Sequence, residues 1–429
     1  MKLVLDGRLL PHIMALLRAI GEMAAERGMR AYLVGGPVRD ALLGRGAVDL
    51  DVVVEGDACA LAALVARRIG GRVVLHEEFR TAVVELPTGG HLDLATARRE
   101  TYQRPGALPL VEPANIEDDL RRRDFTVNAL AVSLDPDNAG ELLDPTGGYR
   151  DLRRGTLRAI LPRCFVDDAT RVVRAAVYIE RLALKMDGET GQLLKKAVDD
   201  GMLETVTPQR HGEQLWRGLL SPASGRILLR LAQWGVLASL GLPAQPQWPE
   251  ALRDVDWARR RLDAPAQDVA AAAFALAAGR QGVEASRRLG LGRELSRTCE
   301  ELAEAHDAGI LSRVARASSA AEVERWLGRL GAPTHVALWA LAPQWAREKM
   351  EQWHAARRNA VKITGRDLLA AGIPEGPAVG VGLRAAMEAA LEGRAGDAES
   401  QLAAAVSAAR RWLAQRSEGK TACGGKGGA

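Results

Sequence analysis

The sequence predicts an α+β protein, with a small head of mixed strands and helices followed by a long helical part. Strand-type segments alternate with helical ones up to about residue 151, and strand signals almost stop after that point. Ala, Leu and Arg dominate the composition, which favours helices in the remainder. A chain of 429 residues is long enough for two to four domains and a substantial core.

The head begins with an amphipathic helix at 8–28, and a second helical segment lies at 58–69. Five β-type segments are predicted, at 31–34, 48–54, 72–75, 81–86 and 91–95. The stretch DPTGGYRD at 144–151 is typical of a turn-rich junction. Helical periodicity then predicts segments at 165–185, 190–220, 222–240, 265–305, 320–350 and 382–416.

Charge, cysteine content and hydropathy narrow the class of protein. The formal net charge of +4 permits a polyanionic partner without requiring one. The four cysteines are scattered without metal-ligand or disulfide spacing, which favours a reducing cytoplasm. No apolar run is long enough to span a bilayer, so we expect no membrane association, and no obligatory protein partner is evident.

Two acids interrupt an apolar run in AVDLDVVVE. Asp49 and Asp51 are two residues apart, so on a strand they share a face, while the valines and the leucine around them point to the core. Adjacent carboxylates repel unless a cation lies between them, and Mg²⁺ with phosphate oxygens fits this arrangement. Asp93, in another candidate strand, is a third candidate ligand. The alternative is an edge strand with a hydrated face.

A glycine pair precedes these acids in LVGGPVRDALLG, which predicts a strand, a turn and a helix opened by Pro37. Gly35 and Gly36 would let the backbone approach a ligand, and a helix N-terminus favours phosphate. Arg39, one turn into the helix, could add a charge-assisted contact. A tight turn without a ligand is the alternative for the glycines alone. Together with the paired acids, the turn indicates nucleotidyl transfer.

Several motifs in one order give a more specific indication. The glycine turn and the paired acids are followed by EDDLRRRDFTVNALAVSL, LLDPTGGYRDL, FVDDATRVVRAAVYIERLAL and TPQRHGEQLWRGLL. This series resembles the tRNA nucleotidyltransferases of the bacterial and eukaryotic class, the CCA-adding enzymes that also include bacterial poly(A) polymerases. The resemblance spans about residues 30–220, and a weaker match lies at 361–386.

The resemblance implies a polymerase-β-like nucleotidyltransferase head followed by an elongated all-α neck, body and tail. The implied catalytic head is 1–152, and the neck that recognises the nucleotide base is 153–220. The implied body and tail, 221–345 and 346–416, bind tRNA. The Gly- and Lys-rich end, 417–429, is predicted to be disordered.

Carried over by position, the motifs also imply site residues. Asp49 and Asp51 would be catalytic metal ligands in a two-Mg²⁺ site, while Gly35, Gly36 and Arg39 would bind the nucleotide phosphates. The Arg-Arg-Asp motif is associated with ribose recognition. An Arg/Asp pair can address both the donor and the acceptor function of a 2′-hydroxyl. The residues implied for ribose recognition are Arg122, Arg123 and Asp124.

Base recognition falls on Asp168, Arg171 and Arg174, which we expect to share a face of one helix. An Arg donor beside an Asp acceptor satisfies the edge of cytosine or of adenine and mismatches uracil. Relatives often continue this row with an Arg where the present chain has Val177. Arg210 and Glu213, in the RHGEQ stretch, are expected to pair with each other and brace the neck.

The sequence therefore predicts template-independent addition of C, A or both to the 3′ end of tRNA, using CTP and ATP and releasing pyrophosphate. Addition of only CC or only A is an open alternative. The segment 98–117 is the candidate for the loop on which this specificity depends in the family. A poly(A) polymerase and a catalytically silent RNA-binding relative are further alternatives.

Overall fold

The computed structural model describes residues 9–45, 50–87, 89–358 and 360–423. The chain divides into two compact units, Met1–Gln214 and Leu215–Ala429. The first unit contains a mixed β-sheet with helices, and the second is helical throughout its described part. The α+β prediction is confirmed. No helix in these ranges is long and apolar enough to cross a membrane.

The main sheet has seven strands in the order β3-β4-β5-β2-β1-β8-β9, in which β2 and β5 are parallel and the other neighbours are antiparallel. Strands β6 and β7 form a separate antiparallel hairpin, and β10 pairs with β11 in parallel. The bounds are β1 Arg30–Val34, β2 Leu50–Glu55, β3 Arg72–His76, β4 Thr81–Glu85, β5 His91–Thr96, β6 Arg98–Thr101, β7 Leu110–Pro113, β8 Ala131–Ser133, β9 Leu142–Leu143, β10 Thr156–Leu157 and β11 Lys185–Met186.

The helices of the first unit surround this sheet and continue beyond it. They are α1 Pro11–Ala25, α2 Gly36–Leu42, α3 Ala58–Ile69, α4 Ile116–Arg121, α5 Gly148–Arg154, α6 Cys164–Asp167, α7 Thr170–Leu182, α8 Gly188–Asp199 and α9 Pro208–Leu219, where α9 runs across the boundary between the units. Short 3₁₀ turns lie at Glu77–Phe79, Thr126–Asn128 and Met202–Thr205.

The second unit continues with thirteen helices in its described ranges. They are α10 Ser224–Gln233, α11 Pro249–Asp254, α12 Ala258–Arg261, α13 Ala266–Ala278, α14 Gly282–Arg288, α15 Arg293–Asp307, α16 Ile310–Arg316, α17 Ala320–Leu327, α18 Ala332–Leu341, α19 Gln344–Arg358, α20 Gly365–Ala370, α21 Pro377–Leu391 and α22 Ala398–Cys423. Helix α22 extends to Cys423, into the end 417–429 that was predicted to be disordered.

Both faces of the sheet are covered, which explains the nearly continuous apolar run of β2. Leu50, Val52 and Val54 belong to one buried cluster, together with apolar residues of α1 and α3. Val53 points to the opposite face, where it joins a second cluster that includes Ile116 and Leu120 of α4. Alternation along the strand places Asp51 on this second face.

Short elements depart from the sequence-based expectations. Strands β8 and β9, of three and two residues, were not predicted, and the expected loop 98–117 contains the β6–β7 hairpin and the start of α4. The expected all-α neck contains the β10–β11 pair. Strands this short carry too few residues to show a period of two, so only their pairing partners reveal them.

The 3₁₀ turn Thr126–Asn128 is held tightly against α5. The hydroxyl of Thr126 donates to Asp151 Oδ2 at 2.9 Å, and the Thr126 amide donates to the carbonyl of Arg158 at 2.9 Å. A Cβ atom placed on Gly148 would lie 2.0 Å from the carbonyl oxygen of Thr126. This close approach requires glycine at the start of α5.

We expect Gly148→Ala to destabilise the protein by about 1–3 kcal/mol, because a methyl group there must push two backbone segments apart. Gly188→Ala is the matched control, since Gly188 also begins a helix but has no heavy atom within 4 Å of a built Cβ. Urea unfolding followed by circular dichroism measures both variants. Equal midpoints for the two variants would contradict the packing argument.

Candidate functional site

The carboxylates of Asp51 and Asp93 occupy paired positions on the neighbouring parallel strands β2 and β5. Adjacent strands lie roughly 4.8 Å apart, and residues in register project to the same face. Both residues are partly exposed, whereas Leu92 and Leu94, which flank Asp93 on β5, are buried. Asp49 lies outside the described residues. The structure therefore brings together two of the three acids that the sequence singled out.

The chemistry of these donors fits a hard cation. Carboxylate oxygens are ligands that Mg²⁺ prefers, and the two acids project from the same face of the sheet. His91 Nε2 lies 3.7 Å from Asp93 Oδ2. Among the residues that the structure describes, no group of three His, Cys, Asp or Glu side chains forms a metal site. A magnesium site here would therefore depend on Asp49 or on oxygens of a bound substrate.

The glycine turn follows β1 directly, beside these acids. Gly35 has φ +67° and ψ −122°, a conformation that only glycine adopts readily, and its amide donates to the carbonyl of Leu130 at 2.9 Å. Leu33 of β1 pairs with Val52 of β2, so the turn begins close to Asp51. Helix α2 starts at Gly36, and Pro37 is its second residue rather than its first.

Arg39 is almost fully buried, with 3% of its surface exposed. Its Nε donates to Asp40 Oδ1 at 2.9 Å, and its Nη1 donates to Asn128 Oδ1 at 2.6 Å. A Cβ built on Gly36 would lie 3.7 Å from the remaining nitrogen, Nη2. The side chain therefore packs against the glycine turn, with its Nη2 facing the turn.

Arg122 and Arg123 share one buried carboxylate, that of Asp119. Arg122 Nη2 donates to Asp119 Oδ1 at 2.7 Å, and Arg123 Nη2 donates to Asp119 Oδ2 at 2.9 Å. Burial works to raise the pKa of Asp119, but the two guanidinium groups outweigh it and hold this pKa below its ordinary value. Arg122 also donates to Glu100 Oε1 at 2.7 Å.

Asp124, the last residue of the Arg-Arg-Asp motif, bonds with Arg174 rather than with Arg122 or Arg123. Arg174 Nε donates to Asp124 Oδ2 at 2.7 Å, and Asn128 Nδ2 donates to Asp124 Oδ1 at 3.0 Å. Burial acts to raise the pKa of the Asp124 carboxyl, while Arg174 and Asn128 act in the opposite direction and leave it lowered. The residues expected for ribose and for base recognition are therefore in direct contact.

The expected base-recognition residues do not share one helical face. Asp168 precedes α7 in an extended conformation, with φ −143° and ψ 99°, and its Oδ1 accepts from the amide of Thr170 at 3.0 Å. The helical prediction for this residue is wrong, because Asp168 lies in the extended connection between α6 and α7. Arg171 and Arg174 lie on α7, and Arg171 Nη2 donates to the hydroxyl of Tyr102 at 3.3 Å.

The predicted pair of Arg210 and Glu213 is also wrong. Arg210 Nη2 lies 3.2 Å from Asp168 Oδ2, and Arg210 Nη1 donates to the carbonyl of Gly106 at 2.8 Å. Glu213 is exposed on α9. Three-residue spacing on a helix permits an ion pair, but a better-buried carboxylate on another element competes for the same guanidinium.

Sequence reasoning missed the partners of the predicted residues. Asp119 had a usable signal, since it lies on α4, three and four residues before two arginines that follow the helix. Asn128 and Tyr178 had none, because they meet Arg39 only through the fold. Tyr102 likewise reaches Arg171 from a hairpin 69 residues earlier in the chain.

The chain is similar to proteins of one family. The model of the poly A polymerase head domain matches residues 31–158. A CC-adding tRNA nucleotidyltransferase of Deinococcus radiodurans is 36% identical over 348 residues, which are 81% of each chain. An A-adding tRNA nucleotidyltransferase of Geobacter sulfurreducens is 42% identical over 223 residues, 52% of this chain and 25% of that protein.

The fold is similar as well. A CCA-adding enzyme of Thermotoga maritima complexed with tRNA has a TM-score of 0.67 and 29% identity, covering 94% of this chain and 97% of that one. The chain spans less than half the length of the three A-adding relatives it matches.

We expect Asp119→Asn to destabilise the protein by about 3 kcal/mol, because two partly buried arginines lose their shared charge partner. Asp118→Asn is the neighbouring control. Its carboxylate is one-third exposed and pairs with exposed Arg99, so the loss is below about 1 kcal/mol. Thermal unfolding of both variants at pH 7 measures the difference, and similar melting temperatures would show that Asp119 contributes no more than a surface acid.

Proposed function

Because the chain belongs to the tRNA nucleotidyltransferase family, we propose that it adds nucleotides to the 3′ end of tRNA without a nucleic-acid template. The substrates are CTP, ATP or both, and pyrophosphate is the product. Solved CCA-adding enzymes of similar fold include complexes with tRNA, ATP and CTP, which supports these substrates. Because tRNA and nucleoside triphosphates are cytoplasmic, we infer that the protein acts there.

The observation that carries the proposal is the convergence of three features within one unit. The paired acids Asp51 and Asp93 lie beside the glycine turn, and Arg39 connects that turn through Asn128 to Asp124. Phosphoryl transfer requires mostly positioning and charge stabilisation, so a site of this kind needs no covalent nucleophile.

We assign Asp49 and Asp51 as metal ligands and Asp93 as a third candidate. Bound Mg²⁺ supplies charge stabilisation at the attacking hydroxyl and at the leaving pyrophosphate. Gly35, Gly36 and Nη2 of Arg39, which faces the glycine turn, are suited to the phosphates.

The assignment of ribose and base recognition follows the positions of the family motifs in this chain. Arg122, Arg123 and Asp124 are the ribose-recognition candidates, and Asp168, Arg171 and Arg174 are the base-recognition candidates. Asp124 and Arg174 form one ion pair, so ribose and base recognition share a structural element.

The proposed division of the chain follows the family pattern, with a catalytic head to residue 152 and a neck to residue 220. The body at 221–345 and the tail at 346–416 are proposed to bind tRNA. A cluster of exposed arginines on α12 is consistent with contacts to phosphates, since Arg259 and Arg260 are exposed there.

Addition of only CC or only A is the second candidate function. It is supported by the relatives, which include A-adding and CC-adding enzymes. Purified protein incubated with tRNAs ending before CCA, after C and after CC, with one labelled nucleotide at a time, separates the three activities. Incorporation of A only onto CC-ended tRNA identifies an A-adding enzyme, and incorporation of C alone identifies a CC-adding enzyme. No incorporation into any tRNA would contradict the proposal.

We expect Asp51→Asn to lower kcat by roughly a hundredfold or more while tRNA affinity changes less than about twofold, because the carboxylate acts on the reacting groups. Asp137→Asn, at an exposed turn of the same unit, is the control and should keep full activity. Single-turnover incorporation and filter binding measure the two quantities. Near-normal incorporation by Asp51→Asn would overturn the assignment of this carboxylate.

A further inference from the structure

Tyr178 lies on α7 between two arginines that belong to different elements. The guanidinium carbons of Arg39 and Arg174 each lie 5.5 Å from the centroid of its ring. Arg174 Nη2 also donates to the Tyr178 hydroxyl at 3.1 Å. The ring packs edge-on against Phe125, with centroids 5.8 Å apart and an interplanar angle of 79°. Its position is therefore fixed on three sides.

The same two arginines are joined a second time through polar side chains. Arg39 donates to Asn128, Asn128 donates to Asp124, and Asp124 accepts from Arg174, with distances of 2.6, 3.0 and 2.7 Å. Together with the ring of Tyr178, these contacts form a closed circuit of five side chains.

The circuit connects the two parts of the site that are assigned to the phosphates and to the base of a nucleotide. Arg39 braces the glycine turn, on the side assigned to phosphates. Arg174 lies on α7 with Arg171, on the side assigned to the base. The face of an aromatic ring attracts cations, so Tyr178 holds two like-charged groups in place without adding a charge of its own.

We propose that Tyr178 is a positioning residue that couples phosphate binding at the glycine turn to base recognition on α7. It sets nucleotide affinity and selectivity by fixing the guanidinium planes of Arg39 and Arg174. This inference rests on the proposed function. A movement of Arg39 on triphosphate binding is transmitted to Arg174 through the ring as well as through Asn128 and Asp124, so base selection depends on a correctly seated triphosphate.

The test compares two substitutions in the full-length protein by steady-state incorporation into tRNA. Tyr178→Leu removes the ring, and we expect the KM for the correct nucleotide to rise about tenfold, with kcat changed less than about threefold. Misincorporation of U should increase by a similar factor. Tyr178→Phe keeps the ring and loses only the hydroxyl, so it should stay within about threefold of the unaltered protein in KM.

Tyr149→Leu is the matched control, because Tyr149 is also a partly buried tyrosine on a helix of the same unit, packed against the main core. It should lower thermal stability while leaving KM and nucleotide selection unchanged. The same result for Tyr178→Leu would overturn the inference, since the ring would then act only in packing.

A double-mutant cycle tests the coupling itself. We expect the effects of Tyr178→Leu and Arg39→Gln on KM to be less than additive, because each breaks the same circuit. Additive effects would contradict the coupling. If Tyr178→Leu does not fold, fluorinated phenylalanines at this position weaken the ring's attraction for cations at nearly constant volume, and KM should rise with each fluorine. A KM that does not change with fluorination would overturn the inference.

The outcomes separate this inference from the proposed function. If the unaltered protein adds nucleotides and Tyr178→Leu retains its KM and selectivity, only the role of Tyr178 fails. If the unaltered protein adds nothing to any tRNA, both fail.

Discussion

The buried carboxylate of Asp124 is the interaction on which the arrangement of the site depends. With 5% of its surface exposed, it needs partners to offset the cost of leaving water, and it obtains them from Phe125, Asn128 and Arg174. Two of these donors directly follow the Arg-Arg-Asp motif, and the third lies on α7. The hydrogen bonds to Asp124 therefore fix the position of α7 relative to the sheet. Arg39 is then placed by Asn128, and the glycine turn by Arg39.

The sheet supplies the frame in which this network forms. Its two faces are both covered by apolar side chains, so β2 and β5 can expose polar groups only where that covering ends. Asp51 and Asp93 occupy such positions, in register on adjacent strands. The cross-strand pairing therefore places the carboxylates of Asp51 and Asp93 on a common face.

The network also changes how the arginines of the site are understood. Arg39, Arg122 and Arg123 are each bonded to a carboxylate or amide of the protein, so a large part of their role is to hold loops in position. This suits a reaction in which the protein contributes orientation and fixed charge rather than a nucleophile. Arg171 and Arg174 are likewise engaged, by Tyr102 and by Asp124.

The sequence by itself determined the α+β class, the five main strands of the head and the helical character of the rest, because these follow from periodicity over many residues. It also identified most of the polar residues that meet at the site, through motifs in a specific order. Only the tertiary structure decided which of them are partners: Arg210 bonds to Asp168 instead of Glu213, and Asp124 bonds to Arg174. Local spacing states which pairs are possible, whereas burial selects among them, since a buried charge binds whichever partner the fold brings within reach.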